Sequence, residues 1–373
     1  MIVKLNDVIA RITGNVDRNN TDLLYYVGGE HYDSAELVIP RMGLLNSDEG
    51  RKLGFKFHFP FQKGDVLFMA RNPHLRKAAM ATENGICSDA SYILRTKDEK
   101  VLRQAYIPIL VQQDAFWDYF EANKTGSVNF LMNWKDLKEY EFKLPSIEEQ
   151  DILCKKVWAA YRLKQEYKKL LASTDELVKS QFIEMLNSNG YSEIPLGQLC
   201  KKITDGSHNP PKGIDISEYI MISSKNVYKD GLDLSDVRYL SKEEFEIEDK
   251  RTRCSKGDVL LTIVGTIGRA YLIRGDEGNI VMQRSVAVLS PNEKIMPQFL
   301  TYSLHIDEEL EKEGRGNAQK GVYLKELAKY KIKVPSITIQ RGFEAILIQA
   351  DKSKFELNQS IQDIDKIIRT IIQ

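Results

Sequence analysis

Side chains that can contact a phosphate or a base edge are concentrated in the loop 204–213. Its hydroxyl, carboxylate, imidazole and ammonium groups stand on a backbone rich in turn residues, and the candidates are Thr204, Asp205, Ser207, His208 and Lys212. Most hydrogen bonds between proteins and DNA go to phosphate and sugar oxygens through groups of these types. The same residues also suit an ordinary surface loop that Asp205 and Ser207 cap.

A second group of candidates surrounds the turn 265–269, which directly follows a strand-like run. Its two glycines permit a close approach of the backbone to a phosphate, and Arg269 can supply charge or a bidentate contact to guanine. A tight hairpin with a solvated arginine explains these residues equally well. Glutamine pairs well with adenine edges and arginine with guanine, which adds further candidates. The full set is Thr266, Arg269, Gln283, Arg284, Gln319 and Lys320, with Arg71, Arg76, Lys77 and Asn129 in the first half of the chain.

Residues that support covalent catalysis or metal binding have no convincing arrangement. The segment 209–211 matches the start of the Asn-Pro-Pro-aromatic motif of DNA amino-methyltransferases, but Lys212 stands where an aromatic ring would stack on a flipped base. The five histidines have no metal-ligand spacing, and no glycine-rich turn after a strand offers a cofactor site. We therefore predict a protein that is not an enzyme and that holds no metal or cofactor of its own.

Composition is that of an ordinary globular protein, with 42% apolar and 28% charged residues and a formal net charge of zero. A uniformly basic surface is excluded, so binding to nucleic acid would need local patches. The first residues lack the apolar core of a signal peptide, and no stretch is long enough to span a membrane. The four cysteines are scattered, which predicts buried thiols in a reduced, cytoplasmic setting.

The elements that must position the candidates occur twice along the chain. The segment 63–66 (KGDV) recurs at 256–259, and the Lys-x-Pro-Ser segment 143–146 recurs at 333–336. A nearly constant offset predicts two related units with different loop insertions. Each unit contains strand-like runs followed by a helical passage, so we predict two α+β domains, at residues 1–147 and 192–337. The runs are 65–69, 258–263 and 281–289, and the helical passages are 112–121 and 298–313.

After each domain follows a segment with a seven-residue repeat. The repeated positions are Val157, Ala160, Lys164, Tyr167, Leu171, Thr174, Val178 and Gln181, and then Leu347, Ala350, Lys354, Leu357, Ile361, Ile364, Ile368 and Ile371. This is the pattern of a coiled-coil seam, with a lysine at the same interior position in both copies. We predict spacer helices at 148–191 and 338–373 that pair in antiparallel orientation with pseudo-twofold symmetry. The alternative is that each helix packs on its own domain alone.

Several short segments together resemble the specificity subunit of Type I restriction-modification systems, over essentially the whole chain. They are Ile194-Pro195-Leu196-Gly197, Ile203-Thr204-Asp205-Gly206-Ser207-His208, Ser223-Ser224-Lys225-Asn226-Val227, Lys256-Gly257-Asp258-Val259-Leu260, Gly265-Thr266-Ile267-Gly268, Asn317-Ala318-Gln319-Lys320 and Lys333-Val334-Pro335-Ser336. Each segment is weak by itself, whereas their order, their spacing and the helix that follows are specific. The resemblance adds Lys225 and Asn226 to the candidate DNA contacts.

The resemblance implies two target-recognition domains, each of which reads one half of a bipartite sequence in double-stranded DNA. It implies that the helices set the gap between the halves and that the chain itself catalyses nothing. Two methyltransferase subunits and, for cleavage, two restriction subunits are the expected partners. S-adenosylmethionine, ATP and Mg²⁺ are expected on those partners. The first copy departs from the pattern at 13–17 and 72–75, so family residues are not transferred to it.

Two other functions stay open. The chain could be the specificity subunit of a bipartite-site system whose nuclease and methyltransferase share one polypeptide, and the neighbouring genes would separate these cases. It could also be a scaffold that binds proteins, which suits the zero net charge. Because phosphate contacts make affinity fall steeply with salt, a salt titration with DNA distinguishes the scaffold from the DNA reader.

Overall fold

The structure is a computed structural model that describes residues 1–72, 75–124, 130–187, 190–229, 231–314 and 320–373. The chain forms two compact units, the first containing residues 1–170 and 357–373 and the second containing residues 171–356. The boundary falls inside the two long helices, so each unit includes a part of both. Within the described residues, no helix combines the length and the apolarity that a membrane span requires.

Unit 1 contains two four-stranded sheets with the orders β2-β9-β6-β7 and β4-β3-β8-β5, and a small pair β1-β10. The strands are β1 (Ile2–Lys4), β2 (Ile9–Ile12), β3 (Tyr25–Val27), β4 (Gly43–Leu44), β5 (Phe57–Phe61), β6 (Val66–Met69), β7 (Ala78–Met80), β8 (Gly85–Ser88), β9 (Ser91–Thr96) and β10 (Glu141–Lys143). The helices are α1 (Leu5–Val8), α2 (Asp48–Arg51), α3 (Ile107–Leu110), α4 (Asp114–Asn123), α5 (Trp134–Leu137) and the first part of α6 (Ile147–Asn187), and the 3₁₀ turns are Gly29–His31 and Gln104–Tyr106.

Unit 2 repeats most of this topology, with the sheet orders β12-β18-β15-β16 and β14-β13-β17 and the pair β11-β19, but β5 has no counterpart among the described strands of unit 2. The strands are β11 (Glu193–Pro195), β12 (Cys200–Asp205), β13 (Tyr219–Ile222), β14 (Arg238–Leu240), β15 (Val259–Thr262), β16 (Ala270–Leu272), β17 (Asn279–Met282), β18 (Val286–Pro291) and β19 (Lys331–Lys333). The helices are α7 (Leu196–Leu199), α8 (Lys242–Thr252), α9 (Pro297–His305), α10 (Leu324–Lys329) and most of α11 (Ile337–Ile372), and the 3₁₀ turns are Ser224–Asn226 and Leu310–Glu313. The predicted repeat and the α+β class are confirmed.

The cores follow from the alternation of side chains along the central strands. In unit 1, Val66 and Phe68 face the helices, whereas Leu67 and Met69 face the second sheet. In unit 2, Val259 and Leu261 face the helices, and Leu260 faces the second sheet. Both faces of the central sheet are therefore buried, which explains why these strands are continuous apolar runs.

The long helices pack against each other in antiparallel fashion within each unit, and both also join the core of that unit. In unit 1, Val157 and Tyr161 of α6 share one apolar cluster with Ile364 and Ile368 of α11. In unit 2, Phe182 of α6 packs on Phe343 of α11, with ring centroids 4.8 Å apart. The predicted coiled-coil pairing is confirmed, and packing on the globular core accompanies it rather than replacing it.

The predicted seam positions lie on the half-buried or buried face of each helix, with one exception. Tyr167, Leu171 and Thr174 in α6 and Leu347, Ala350, Leu357, Ile361 and Ile371 in α11 are half-buried. Gln181, however, is exposed, and the next residue, Phe182, is buried at 1% exposure. That prediction was wrong because the spacing changes to four residues after Val178, where α6 meets the aromatic side chains of the unit 2 core.

A buried glutamine joins the start of each long helix to its domain. Gln150 and Gln340 both have 0% exposure. In each case the side-chain Nε2 donates to two backbone carbonyls and the Oε1 accepts one backbone N–H. The partners of Gln150 are Val101, Pro145 and Arg103, and those of Gln340 are Lys294, Pro335 and Met296. The same three-bond joint is thus built twice.

One sequence prediction of a regular element was wrong. The run 281–289 is not one strand, because the chain leaves β17 at Met282 and enters β18 of the other sheet at Val286. The passage 298–313 is helical as predicted but is interrupted, because α9 ends at His305 and the 3₁₀ turn Leu310–Glu313 follows. There the carboxylate of Asp307 accepts hydrogen bonds from the N–H groups of Glu309 and Leu310, which favours a turn over a helix.

Candidate nucleic-acid interface

The loop that follows β12 is anchored by Asp205. This carboxylate is buried at 6% exposure and accepts a hydrogen bond from Arg251 of α8, whose Nε also donates to the Asp205 carbonyl oxygen at 2.9 Å. The Nε2 of His208 lies 2.7 Å from the other carboxylate oxygen, and the imidazole is 54% exposed. Asp205 therefore holds the loop, and His208 is the group that it presents to solvent. Thr204 is half-buried, and its hydroxyl donates to the Asp205 carbonyl oxygen.

The same loop is joined to the segment between β17 and β18. The N–H of Ser207 donates to the carbonyl of Met282 at 2.8 Å, and the N–H of Arg284 donates to the carbonyl of Ser207 at 2.9 Å. A Cβ atom on Gly206 would lie 1.8 Å from the Met282 carbonyl oxygen, so this approach requires glycine. The structure thus brings together Ser207 and the exposed Arg284, two candidates that are far apart in sequence.

A cavity of about 640 Å³ lies beside this junction. Four of the candidates line it: Lys212, Lys225, Asn226 and Gln283. The Oε1 of Gln283 accepts a hydrogen bond from Ser285, which leaves the amide nitrogen of Gln283 available as a donor. Lys225 forms an ion pair with Asp236 at 2.5 Å, but both side chains are more than half exposed, so the pair is weak. Polar and cationic groups that can contact a base or a phosphate therefore surround an open recess.

Asn226 has a different role from the one that the resemblance suggests. Its side chain is 2% exposed, and its Nδ2 donates to the carbonyls of Asp233 and Asp236 at 2.8 and 2.9 Å. Its Oδ1 accepts from the N–H of Ser223 at 2.9 Å. Because the amide is saturated by protein groups, Asn226 is better explained as the residue that shapes the loop 223–236 than as a direct contact.

The glycine turn after β15 presents one hydroxyl and one stacked guanidinium. Gly265 and Gly268 have φ angles of +82° and +93°, which only glycine adopts without strain. Thr266 is exposed. The guanidinium of Arg269 lies 4.6 Å from the ring centroid of Tyr228, so this arginine is oriented by an aromatic face that the sequence did not point to.

The last candidates of unit 2 lie next to this turn. The carbonyl of Lys320 accepts a hydrogen bond from the N–H of Gly265 at 3.2 Å, and the Lys320 side chain is exposed. Gln319, together with Asn129 of the first half, lies outside the described residues.

In unit 1 the predicted cations are mostly engaged with protein groups. Arg76 pairs with Asp114 at 2.5 Å, and the Nζ of Lys77 donates to the carbonyl of Gly29 at 2.7 Å. Arg71 is exposed at an isolated bridge to Leu131. Of the three cations predicted to contact DNA in unit 1, Arg71 is therefore the most accessible.

Each unit contains an ion pair between the two long helices at the predicted interior lysine. In unit 1 the Nζ of Lys164 lies 2.7 Å from Asp365 of α11 and 2.8 Å from Glu36 of the globular part. In unit 2 the Nζ of Lys354 lies 3.1 Å from Asp175 of α6. Burial lowers the pKa of both lysines, but their carboxylate partners raise it by more, so both pKa values lie above the ordinary value. The two lysines therefore stay charged and fix the register of the helices.

Within the described ranges, no group of three or more His, Cys, Asp and Glu side chains is placed to hold a metal ion. The carbonyl of Pro211, within the Asn-Pro-Pro segment, accepts a hydrogen bond from Arg238 at 2.6 Å. This contact gives the segment a structural role at the rim of the cavity.

Comparisons with known proteins agree with this architecture. The family model described as the Type I restriction modification DNA specificity domain matches residues 189–366. The specificity subunit of the Type I restriction enzyme EcoBI from Escherichia coli is 32% identical over 182 residues, which make up 47% of this chain and 37% of that subunit. The matched region thus spans little more than a third of the length of this curated relative.

Two solved structures share the fold over the whole chain. One is a chain from work on complex assembly and conformational transition of the type I R-M system, with 20% identity, a TM-score of 0.60, and coverage of 100% of this chain and 96% of that one. The other is the S subunit of a Type I restriction-modification system from M. genitalium, with 13% identity, a TM-score of 0.56, and coverage of 100% and 94%. At these identities the likeness concerns the fold alone. Residues 189–366 therefore resemble the Type I restriction modification DNA specificity domain, and the chain as a whole has the fold of Type I restriction-modification S subunits.

Proposed function

We propose that this chain is the DNA-recognition subunit of a Type I restriction-modification complex, in which each unit reads one half of a bipartite target. The observation that carries the proposal is a shared scaffold with different surfaces. The central sheets of the two units have the same strand order, whereas the loops after β2 and β12 differ in sequence and in partners. Two copies of one reader with different loop chemistry are what recognition of two different half-sites requires.

In unit 2, contacts to the DNA backbone and to bases would come from different side chains of the same surface. The exposed cations Lys212, Arg284 and Lys320 would contact phosphates and position the duplex. Gln283, which lines the recess, and Arg269, which lies over Tyr228, carry hydrogen-bonding groups that would contact base edges. The imidazole of His208 adds a further polar group to this surface. Its contact with the Asp205 carboxylate restricts its orientation.

The long helices would set the gap between the half-sites and would dock the methyltransferase subunits. Exposed apolar side chains on the helices support this role: Leu163 and Leu170 on α6 in unit 1 are 47% and 50% exposed, and Ile348 and Phe355 on α11 in unit 2 are 64% and 72% exposed. The two residues of each pair are seven positions apart and so lie on one face of their helix, where exposed apolar groups together can form a partner surface. S-adenosylmethionine, ATP and Mg²⁺ would act on the partner subunits, and this chain would supply recognition without catalysis.

The test is a genome-wide map of N6-methyladenine in the host, with the gene for this chain removed and then restored. The expected result is the loss and return of methylation at one bipartite motif, and an unchanged methylation pattern would overturn the proposal. The purified chain should also fail to methylate DNA with S-adenosylmethionine alone.

A pair of arginine variants sharpens the same assay. Arg284→Ala should lower methylation of the motif about tenfold, because a hydrogen bond between an arginine and a charged phosphate contributes about 1.5 kcal/mol. Arg274→Ala removes another exposed arginine, in the turn between β16 and β17, and should change nothing. Equal effects of the two variants would contradict the assignment of the DNA interface to the surface around the loop 204–213 and Arg284.

A further inference from the structure

Phe55 is an exposed aromatic residue in a cationic segment of unit 1. Its side chain is 85% exposed, the highest value among the large apolar residues in the part of the chain that the structure describes. The surrounding segment 51–58 (RKLGFKFH) contains Arg51, Lys52 and Lys56 and no acidic residue. An apolar ring at this exposure loses the benefit of burial, and cations around it attract a partner with negative charge.

The turn that carries Phe55 is held in place. The guanidinium of Arg18 donates to the carbonyl of Gly54 at 2.6 Å, and the N–H of Phe57 donates to the same carbonyl at 3.2 Å. The Nδ1 of His58 lies 3.2 Å from the Phe55 carbonyl. Hydrogen bonds on both sides fix the backbone, so the ring is presented to solvent from a defined position.

The position of this turn is informative because of the internal repeat. β2 ends at Ile12 as β12 ends at Asp205, so the loop 13–22 is the counterpart of the candidate contact loop 204–213. The turn lies directly against that counterpart, because the N–H of Val16 donates to the carbonyl of His58 at 3.0 Å.

Unit 2 has the equivalent contact from a different element. There Arg251 of α8 contacts Asp205 in the loop after β12. In unit 1 the segment 51–58 precedes β6 and lies against the loop after β2. In unit 2, α8 precedes β15 and lies against the loop after β12. The two units thus place unrelated insertions at one site beside the candidate DNA loop, and only unit 1 puts an exposed aromatic ring there.

We propose that Phe55 contacts bases in the half-site read by unit 1, where its ring stacks on or inserts at a base step while Arg51, Lys52 and Lys56 contact the flanking phosphates. The inference rests on the proposed function and names a specificity residue of that same surface. Apolar side chains inserted between base steps next to Lys and Arg are a known mode of DNA binding. The ion pair of Lys56 with Asp89 at 3.2 Å is half exposed, so its loss on binding costs little.

The first test uses the methylation map in the host with the full complex. Phe55→Ala should lower methylation of the motif about tenfold or more and relax base preference in one half-site, with the other half and the gap unchanged. Phe55→Trp keeps a stacking ring and should stay within a few-fold of the wild type. Ile2→Ala removes a side chain of similar exposure, 72%, from β1 and should have no effect. Unaltered methylation in Phe55→Ala would overturn the inference.

The second test separates a DNA contact from a protein contact. The assembled complex is mixed with a duplex that carries the mapped motif and 2-aminopurine at successive positions of one half-site. The wild type should raise the fluorescence at one step, and Phe55→Ala should abolish that rise. A loss of methylation in Phe55→Ala with no fluorescence change at any position in the wild type would assign the ring to a protein partner and refute the proposal. The absence of any bipartite motif in the host would refute the proposed function itself, which is a different outcome.

Discussion

Replacement of Lys164 by methionine is expected to destabilise unit 1 by about 3 kcal/mol at neutral pH, the lower end of the cost of removing one partner of a buried ion pair. The side chain of Lys164 is 8% exposed, and that of its partner Glu36 is 12% exposed. Methionine fills a similar volume, so the loss is electrostatic rather than a loss of packing. Lys168, 3.2 Å from Glu36 and 45% exposed, stays in the variant and limits the effect.

The destabilisation should depend on pH in a defined direction. In the wild type, burial raises the pKa of Glu36, but the hydrogen bond and charge of Lys164, with that of Lys168, lower it by more, so the net pKa lies below the ordinary value. The ion pair therefore contributes stability above the unfolded-state pKa and loses it as the pH falls through the folded-state pKa. Without Lys164, burial dominates and the pKa of Glu36 rises. The difference between variant and wild type should then shrink as the pH falls below the ordinary pKa of a glutamate, and should vanish below the lowered folded-state pKa, where Glu36 is neutral in both.

Hydrogen exchange followed by mass spectrometry reports the two units separately and is the appropriate measurement. Peptides from unit 1 should show faster exchange in Lys164→Met, and peptides from unit 2 should not. Lys354→Met is the matched control, because Lys354 occupies the repeat-equivalent position but its partner Asp175 is 49% exposed, so the loss should be under about 1 kcal/mol. The double variant with Glu36→Gln should recover most of the stability. Equal losses in the two lysine variants, or a loss in Lys164→Met that does not vary with pH, would refute the reasoning.

Three further predictions follow from other features. Gln150→Ala and Gln340→Ala should each lower the free energy of unfolding of their own unit by about 2 kcal/mol, because buried backbone groups lose their partners. Hydrogen exchange at the start of α6 and of α11 measures this loss. A loss in only one of the two variants would contradict the equivalence of the joints. All four thiols should react slowly with a disulfide reagent at pH 8 until the protein is unfolded, because burial raises their pKa: that of Cys154 to about 11 and those of Cys87, Cys200 and Cys254 to about 12. Rapid reaction of the folded protein would contradict that assignment. Insertion of one heptad in both long helices should lengthen the gap in the methylated motif by ~10.5 Å, ~3 base pairs. Insertion in α6 alone should disrupt the seam. An unchanged gap in the methylation map would refute the spacing role.

The sequence was sufficient for the features that depend on periodicity. The helix seam needs only the spacing of apolar residues, and the repeat needs only recurrent short motifs, so both were predicted. The partner of Lys164 was not, since Glu36 lies 128 residues earlier in the chain and no local pattern connects the two. Similarly, Gln283 and Arg284 looked like the middle of a strand because apolar residues flank them on both sides.

The candidate interface was less predictable, because polarity alone does not reveal where a side chain points. Asp205 and Asn226 were chosen for their hydrogen-bonding groups, and both are buried and occupied by protein partners. Arg251, which holds Asp205, lies in an acidic helix that gave no signal. Phe55 was missed for the same reason, since a single phenylalanine in a sequence is far more often buried than exposed. Gln319 and Asn129 remain predictions.

The joints at Gln150 and Gln340 have an evolutionary consequence. All the groups that each glutamine binds lie within the 50 residues before it, in its own domain or in the Pro-Ser turn. A globular domain inherited together with its glutamine therefore keeps all three hydrogen bonds of this joint. Recombination within the long helices would therefore transfer a domain together with its joint, and only the contacts of the other helix, such as those of Ile364 and Ile368 with the unit 1 core, would have to fit the new domain.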